Sequence, residues 1–434
     1  MESTFKTDIL TNLINQALGL LLGVLSGILV ARLLGVSGRG EIFFVTTVTS
    51  IGLLIGNLGI SSSNIFILGK QRRSPVEIYG NSVYLSLLSG MAILVCGEIY
   101  LMANGDALGE VSRGLVMLGI LVIPFAILFS NMSSILQGMG KTLLYNKLVF
   151  ITQAAGGLSV IAAVVLTKSA FGYMLASLAV ALCNVIILLK LFSRLGISSV
   201  SFDRKLASEQ MHYAVRLYAS NILSQLILRI DVFIVFKILG LQALGHYSVA
   251  VATCEAILML PYAIGTMLFP RAIAATPAER QRLVTSTFRH TLYLTVFAVI
   301  AFEALAGVLI PTLYGQHFRE AVLPARVLAP AMVAMGALSV IFNSIASVGA
   351  NRILFIAPAI ALVMNIALNL LLLPFLGVSG ASLASTLTYW AEAAISFAVL
   401  YSLIGAGIRE YLVLKKGDFC LYLHMLKWRG TTAE

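Results

Sequence analysis

Twelve apolar runs of about 18 to 26 residues follow one another along this chain, separated only by short polar stretches, and each suffices for a membrane-crossing helix. They cover approximately residues 10–31, 42–68, 78–102, 114–136, 145–166, 172–192, 213–236, 247–269, 289–310, 323–346, 353–375 and 380–404. With 59% of 434 residues hydrophobic and 11% charged, no aqueous core could hide this much apolar surface. The two-residue alternation of a membrane barrel is absent. The expected fold is therefore an all-α integral membrane protein with twelve transmembrane helices. No cleavable leader is expected, because the first apolar run lacks a small-residue cleavage context.

The net charge of +11 raises the possibility of a nucleic-acid partner, but its distribution argues against one. Threading the runs alternately through a bilayer puts 20 of the 29 Lys and Arg on the side of the N-terminus. Such a bias places both termini in the cytoplasm and makes membrane lipids the neighbours of the basic residues. Residues 405–434 form a basic tail with Lys415, Lys416, Lys427 and Arg429. Its short apolar stretch Phe419 to Leu426 fits an interfacial helix or an unstructured tail.

Catalytic chemistry finds no support. His212, His246, His290, His317 and His424 are scattered, and neither a phosphate-cradling Gly-rich loop with Lys nor a nucleophile triad is present. Cys96, Cys183, Cys254 and Cys420 stand singly in or beside apolar runs and read as packing residues. No enzyme, metal or cofactor is expected. The loops leave no room for a soluble catalytic domain.

The chain also repeats itself. Arg32-Leu33-Leu34-Gly35 with Gly40 returns, 205 positions later, as Lys237-Ile238-Leu239-Gly240 with Gly245. Gly172 to Ser177 resembles Gly380 to Ser385 at an offset of 208. Six runs separate the copies, so the halves enter the membrane in the same sense and the repeat is parallel. The expected organisation is a six-helix bundle over 1–195, a linker over 196–211, a second bundle over 212–404, and the tail.

Polar residues follow helical stripes. Asn12, Asn15, Gln16, Gly19, Gly23 and Ser26 share one face of the first run, and Ser50, Asn57, Ser61 and Asn64 one face of the second. The counterparts of Ser50, Asn57 and Ser61 in the eighth run are Glu255, Tyr262 and Thr266. Small and hydroxyl residues also serve close helix packing in lipid, so the stripes alone do not define a cavity. The seventh run is the most polar: Arg216, Ser220, Ser224 and Asp231 on one stripe, Asn221, Gln225 and Arg229 on another. A charge in mid-bilayer costs about 3 to more than 10 kcal/mol, so most of this helix faces water, a partner or a ligand rather than lipid. Arg229 and Asp231 are two residues apart and do not share a face, so each needs another partner. Glu98, Glu303, Glu255 and Glu392 are also embedded. The first two fit the membrane interface, and the last two fit either ion pairs or relays for a proton or sodium ion.

These residues carry a family resemblance. Ala31-Arg32-Leu33-Leu34-Gly35 with Gly38-Arg39-Gly40-Glu41, and Arg229 and Asp231 followed by Leu239-Gly240, Gly245 and Tyr247, resemble bacterial polysaccharide flippases. Leu136-Gln137-Gly138-Met139-Gly140-Lys141 and Leu376-Gly377 with Gly380-Ala381 fit the same pattern. Those flippases belong to the multidrug/oligosaccharidyl-lipid/polysaccharide exporter superfamily. The resemblance implies two six-helix bundles forming a V around a central cavity in the bacterial inner membrane. It implies transport of oligosaccharide repeat units on undecaprenyl pyrophosphate, for O-antigen or capsule, coupled to H+ or Na+ and delivered to a polymerase complex. Arg216, Arg229, Asn221, Gln225 and Arg32 are the expected substrate-binding residues, and Asp231, Glu255 and Glu392 the ion-coupling ones. Arg32, Lys237 and Arg326 fit either the outer end of the substrate route or anchors at the outer interface. A drug antiporter of the superfamily is the alternative, disfavoured by the positive charges expected in the cavity. A peptidoglycan-precursor flippase is disfavoured because it typically carries more helices.

Overall fold

The computed structural model describes residues 2–71, 73–103, 108–349 and 352–413; the side chains of 2–18, 20, 71, 215–217, 219 and 220 lie outside the description. The tail with Phe419 to Leu426 lies outside the described residues. Among those described, the chain forms helices and no strand. In order they are α1 Glu2–Asn57, α2 Ile60–Gln71, α3 Pro75–Ala103, α4 Arg113–Gly138, α5 Thr142–Thr167, α6 Ala170–Arg194 and α7 Arg204–Ile227. They continue as α8 Ile230–Glu255, α9 Met259–Ala274, α10 Pro277–Tyr314, α11 Val322–Ser347, α12 Ile353–Leu376, α13 Val378–Ile404 and α14 Ile408–Leu412. Nine segments among the described residues are long and apolar enough to cross a membrane, the first of them Leu21–Lys70 with 50 residues.

Helix starts follow the local sequence. Asp203 caps α7 by accepting from the backbone N–H of Lys205 at 2.8 Å and Leu206 at 3.3 Å. Thr276 and Glu279 form a reciprocal capping box at α10, with Pro277 in the first turn. This polar start carries α10 well upstream of the expected 289–310. Three expected continuous helices are interrupted instead. The second run, expected over 42–68, ends at Asn57 and restarts at Ile60, with Leu58 and Gly59 at positive φ between them. The seventh run, expected as one helix over 213–236, ends at Ile227 and restarts at Ile230, with Arg229 at φ −132° and ψ −14° between. The eighth, expected over 247–269, passes through a 3₁₀ turn at Ala256–Leu258. No Gly or Pro stands at the Arg229 break, which is why periodicity missed it, whereas the 3₁₀ turn is followed by Pro261, which cannot donate to the Ile257 carbonyl.

The duplicated glycines govern the topology. Gly35 lies at φ 70°, ψ −167° inside α1, and Gly240 at φ 83°, ψ −174° inside α8. This backbone region belongs almost exclusively to glycine. The reversal at each turns one continuous stretch into two legs: Asp231 and Tyr247, about 24 Å apart on a straight helix, hydrogen-bond to each other. The copies also seat on one another. A Cβ on Gly40 would lie 2.5 Å from the carbonyl oxygen of Leu241, and one on Gly245 would lie 2.2 Å from that of Val36. Leu241 and Gly245 are the repeat counterparts of Val36 and Gly40, so the contact is reciprocal, as at an isologous interface.

Core packing gives the overall shape. One apolar core at this hinge side draws from both halves, including Val30, Leu115 and Met174 with Leu244, Phe302 and Met332. Toward the linker side the core divides. Ile67, Ile78, Met132 and Leu188 pack within the first half, and Leu268, Val284, Val340 and Leu400 within the second. The halves join at the hinge side and part toward the linker, forming a V.

α7 links the arms, packing against α2 of the first half and α12 of the second. Its amino-terminal end is fastened to the first half by buried amides. Gln210 donates to Asn64 at 2.8 Å and accepts from Asn81 at 3.3 Å, and Asn81 donates to the Asp203 carbonyl at 2.9 Å. Asn64 also donates to Ser82, and Ser61 donates to Asn131. Much of the polar stripe of the second run is thus spent on helix packing.

Two outcomes are expected from this architecture. Gly245→Ala should destabilise the detergent-purified protein by about 1–3 kcal/mol through overpacking, seen as a lower thermal midpoint, while Gly69→Ala, which meets open space, should not. Equal midpoints would rule out the reciprocal contact. Gln210→Leu leaves the Asn64 and Asn81 amides short of partners and should cost about 1–3 kcal/mol by the same measurement.

Candidate functional site

Where the arms of the V meet, the interrupted helices leave their ends inside the protein. Irregular backbone at such depth is tolerated where it lines a cavity or is buried in protein, and broken helices of this kind build transporter sites. Arg229 occupies the break between α7 and α8, and Glu255 ends α8 at the 3₁₀ turn. The Gly240 reversal brings the two breaks to the same level. The Arg229 guanidinium lies 3.2 Å from a Glu255 carboxylate oxygen, with the side chains 26% and 37% exposed.

Asp231, one helical step further, is 3% exposed. Tyr247 donates to its Oδ2, Ser385 of α13 donates to the same oxygen at 3.3 Å, and Oδ1 has no hydrogen-bond partner among the described residues. The expectation that Arg229 and Asp231 have separate partners holds. Glu392 of α13 is 4% exposed, and no ion pair or hydrogen bond reaches it from the described residues.

These groups are linked by a string of cavities. A chamber of about 300 Å³ lies between the halves, walled by Ser50 and Asn57 of α1, Ser130 of α4, Asn221 and Gln225 of α7, and Arg229. Gln225 also lines a second cavity of about 170 Å³ with Tyr262, Tyr389 and Glu392. Tyr389 in turn borders a small space of about 20 Å³ beside Asp231, Tyr247 and Glu255. The line of polar groups runs from the cleft into the second half.

Of the expected substrate-binding residues, Arg229, Asn221 and Gln225 come together in one chamber. Asp231, Glu255 and Glu392 cluster behind it. Arg32 stands apart: its guanidinium donates to the carbonyls of Leu313, at 2.7 Å, and Thr312 in the last turn of α10. A cation there complements the carboxyl end of the helix. The Arg216 side chain lies outside the described residues. Glu303, expected at the interface, is 3.9 Å from Arg326.

Periodicity overlooked Ser130, Tyr218 and Tyr389. Tyr218 borders the chamber and donates to the Leu54 carbonyl at 2.9 Å. Tyr247 and Ser385 appeared in the repeat motifs, but nothing in their spacing tied them to Asp231. Among the described residues no group of three or more His, Cys, Asp or Glu could hold a metal ion.

Known proteins share the architecture. A structure of the lipid II flippase MurJ in an inward closed conformation superposes with a TM-score of 0.75 at 15% identity, covering 97% of this chain and 93% of that one. An inward-facing multidrug resistance MATE family transporter of the MOP superfamily gives 0.68 at 14% identity, covering 92% and 98%. A MOP superfamily transporter from Pyrococcus furiosus, described as having a binding pocket of reverse polarity, also gives 0.68 at 14% identity over 92% and 96%. At these identities the likeness establishes the fold of a multi-pass membrane transporter. No curated protein matches in sequence. The family described as polysaccharide biosynthesis protein matches residues 29–323, most of the chain and both hinge motifs, and the protein belongs to that family.

Proposed function

We propose that this protein is a flippase, without enzymatic activity, that carries undecaprenyl-pyrophosphate-linked oligosaccharide repeat units from the inner to the outer leaflet of a bacterial inner membrane by alternating access. The linker side and both termini face the cytoplasm in this reading, and twelve helices cross the bilayer. The observation that carries it is Arg229 at an interrupted helix, in a polar chamber between the two halves. A pyrophosphate needs cations within the membrane, and the planar guanidinium can bind it in bidentate fashion. Asn221 and Gln225 supply neutral donors and acceptors suited to sugar hydroxyls. The family match supports a polysaccharide substrate. A polymerase complex is the natural consumer of the product. Chain length does not separate this protein from the lipid II flippase, since 93% of that chain is covered, so the choice of oligosaccharide rests on the family.

Coupling follows from the Arg229–Glu255 pair. An incoming pyrophosphate competes with Glu255 for the guanidinium, and a released Glu255 takes a proton or Na+ in its place. Asp231 and Glu392 extend this relay into the second half.

One observation favours a second reading. The charges around the cavities are not mainly positive, as expected from the seventh run alone: Arg229 is matched by Glu255, and Glu392 sits with Tyr262, Phe342 and Tyr389. An acidic, aromatic pocket suits an organic cation, as in a drug antiporter. Ethidium efflux by the wild-type protein, lost in Glu392→Gln while surface polysaccharide persists, would establish that reading.

Three outcomes test the flippase. In a complemented null strain, Arg229→Ala should abolish surface polysaccharide and leave lipid-linked repeat unit on the cytoplasmic face; wild-type polymer at matched expression would remove Arg229 from the site. Arg229→Lys asks whether charge suffices, and a deficit there would assign weight to the fork geometry. Asp231→Asn or Glu392→Gln in proteoliposomes should make transport insensitive to an imposed proton or Na+ gradient while exchange persists; an undiminished response to both gradients would exclude that residue from coupling. Glu255→Met should destabilise the protein by about 1–3 kcal/mol, and Arg229→Met added to it should restore most of the thermal midpoint, because an unpaired charge costs more than a missing pair.

A further inference from the structure

Beside the polar chamber lies a larger cavity of about 890 Å³ with a different lining. Phe44 and Ile55 of α1, Ala92 and Cys96 of α3, Ile120 of α4 and Phe236 of α8 form its walls. It therefore lies between the first half and the first leg of α8. Its volume falls in the roughly 300–1,000 Å³ range of ligand sites. Ile51 lines both this cavity and the polar chamber, so the two share a wall. The cationic group in the lining is Lys237, which is exposed and makes no hydrogen bond or ion pair with the described residues. On the same leg of α8, Lys237 follows Arg229 by about 12 Å toward the hinge side.

We infer that this apolar chamber holds the isoprenoid chain of the carried lipid, and that its pyrophosphate passes from Arg229 to Lys237 as the carrier leaves. The inference rests on the flippase reading. A lipid-linked oligosaccharide that places its head in a polar chamber must let its tail out sideways, and the wall beyond Ile51 is the apolar exit that adjoins the head. The chamber lies at the junction of the two halves, adjoining the head site across Ile51, which distinguishes its occupant from bulk phospholipid on the perimeter. An unpaired ammonium at the mouth complements an anionic head that has moved toward the outer leaflet. Burying isoprenoid methylenes supplies the affinity, and the lysine supplies the polarity of release.

The test is binding to the full-length protein in detergent micelles, by thermophoresis, with undecaprenyl pyrophosphate, undecaprenol and palmitoyl-oleoyl phosphatidylglycerol as probes. Cys96→Trp projects an indole into the chamber across the path of the chain and should weaken both undecaprenyl compounds by about tenfold or more. Lys237→Gln should weaken undecaprenyl pyrophosphate by about tenfold and leave undecaprenol unchanged. Thermal unfolding checks that each variant is folded, and Ala92→Phe serves as the second filling variant. Affinities untouched by both filling variants, or displacement of the pyrophosphate by phosphatidylglycerol at equal concentration, would overturn the assignment. Binding that requires Arg229 but ignores Cys96→Trp and Lys237→Gln would remove the chamber and leave the flippase standing. No binding of undecaprenyl pyrophosphate to the wild-type protein would sink both.

Discussion

The reciprocal seating of Gly40 on Leu241 and Gly245 on Val36 is the constraint on which the other features depend. Backbone can approach backbone this closely only because Gly40 and Gly245 carry no Cβ, and the two halves therefore meet at the hinge side. Their apolar cores merge there and separate toward the linker. A cleft open at one end follows from where the glycines lie. Arg32 reinforces the same closure from outside by holding the last turn of α10.

The Gly240 reversal has a second effect, which its counterpart at Gly35 lacks. It lays the Glu255 end of α8 beside the Arg229 end and brings Tyr247 onto Asp231. The repeat counterparts of Arg229 and Asp231 are Val24 and Ser26, and that of Tyr247 is Ile42. One duplicated turn thus builds a packing interface in one half and a charged centre in the other. Buried charge is concentrated where the copies diverge, and shape where they agree.

Charge inside the membrane is handled by pairing and by cavity contact together. Arg229 satisfies Glu255 yet still borders the chamber, so an anion can reach it without an empty cation being stored beforehand. Buried amides do a different task. Asn64, Asn81 and Gln210 tie the start of α7 to the first arm, while α7 also packs on α12 of the second.

The sequence by itself determined that the chain is helical and membrane-embedded, that its halves are parallel copies, and which residues are too polar for lipid. Those properties are local: run length, a repeated glycine motif and the cost of desolvating a charge. It also pointed to Arg229, Asn221 and Gln225 as neighbours, because short spacing on one segment survives folding. Only the tertiary structure decided the break at Arg229, where no Gly or Pro interrupts the helix. It likewise decided that Glu255 is the partner of Arg229, that Arg32 sits on α10 outside the cleft, and that Tyr247 and Ser385 hold Asp231. Those pairings join residues up to 281 positions apart. They depend on the depth and rotation of whole helices, which helical periodicity leaves free and close packing of the two halves fixes.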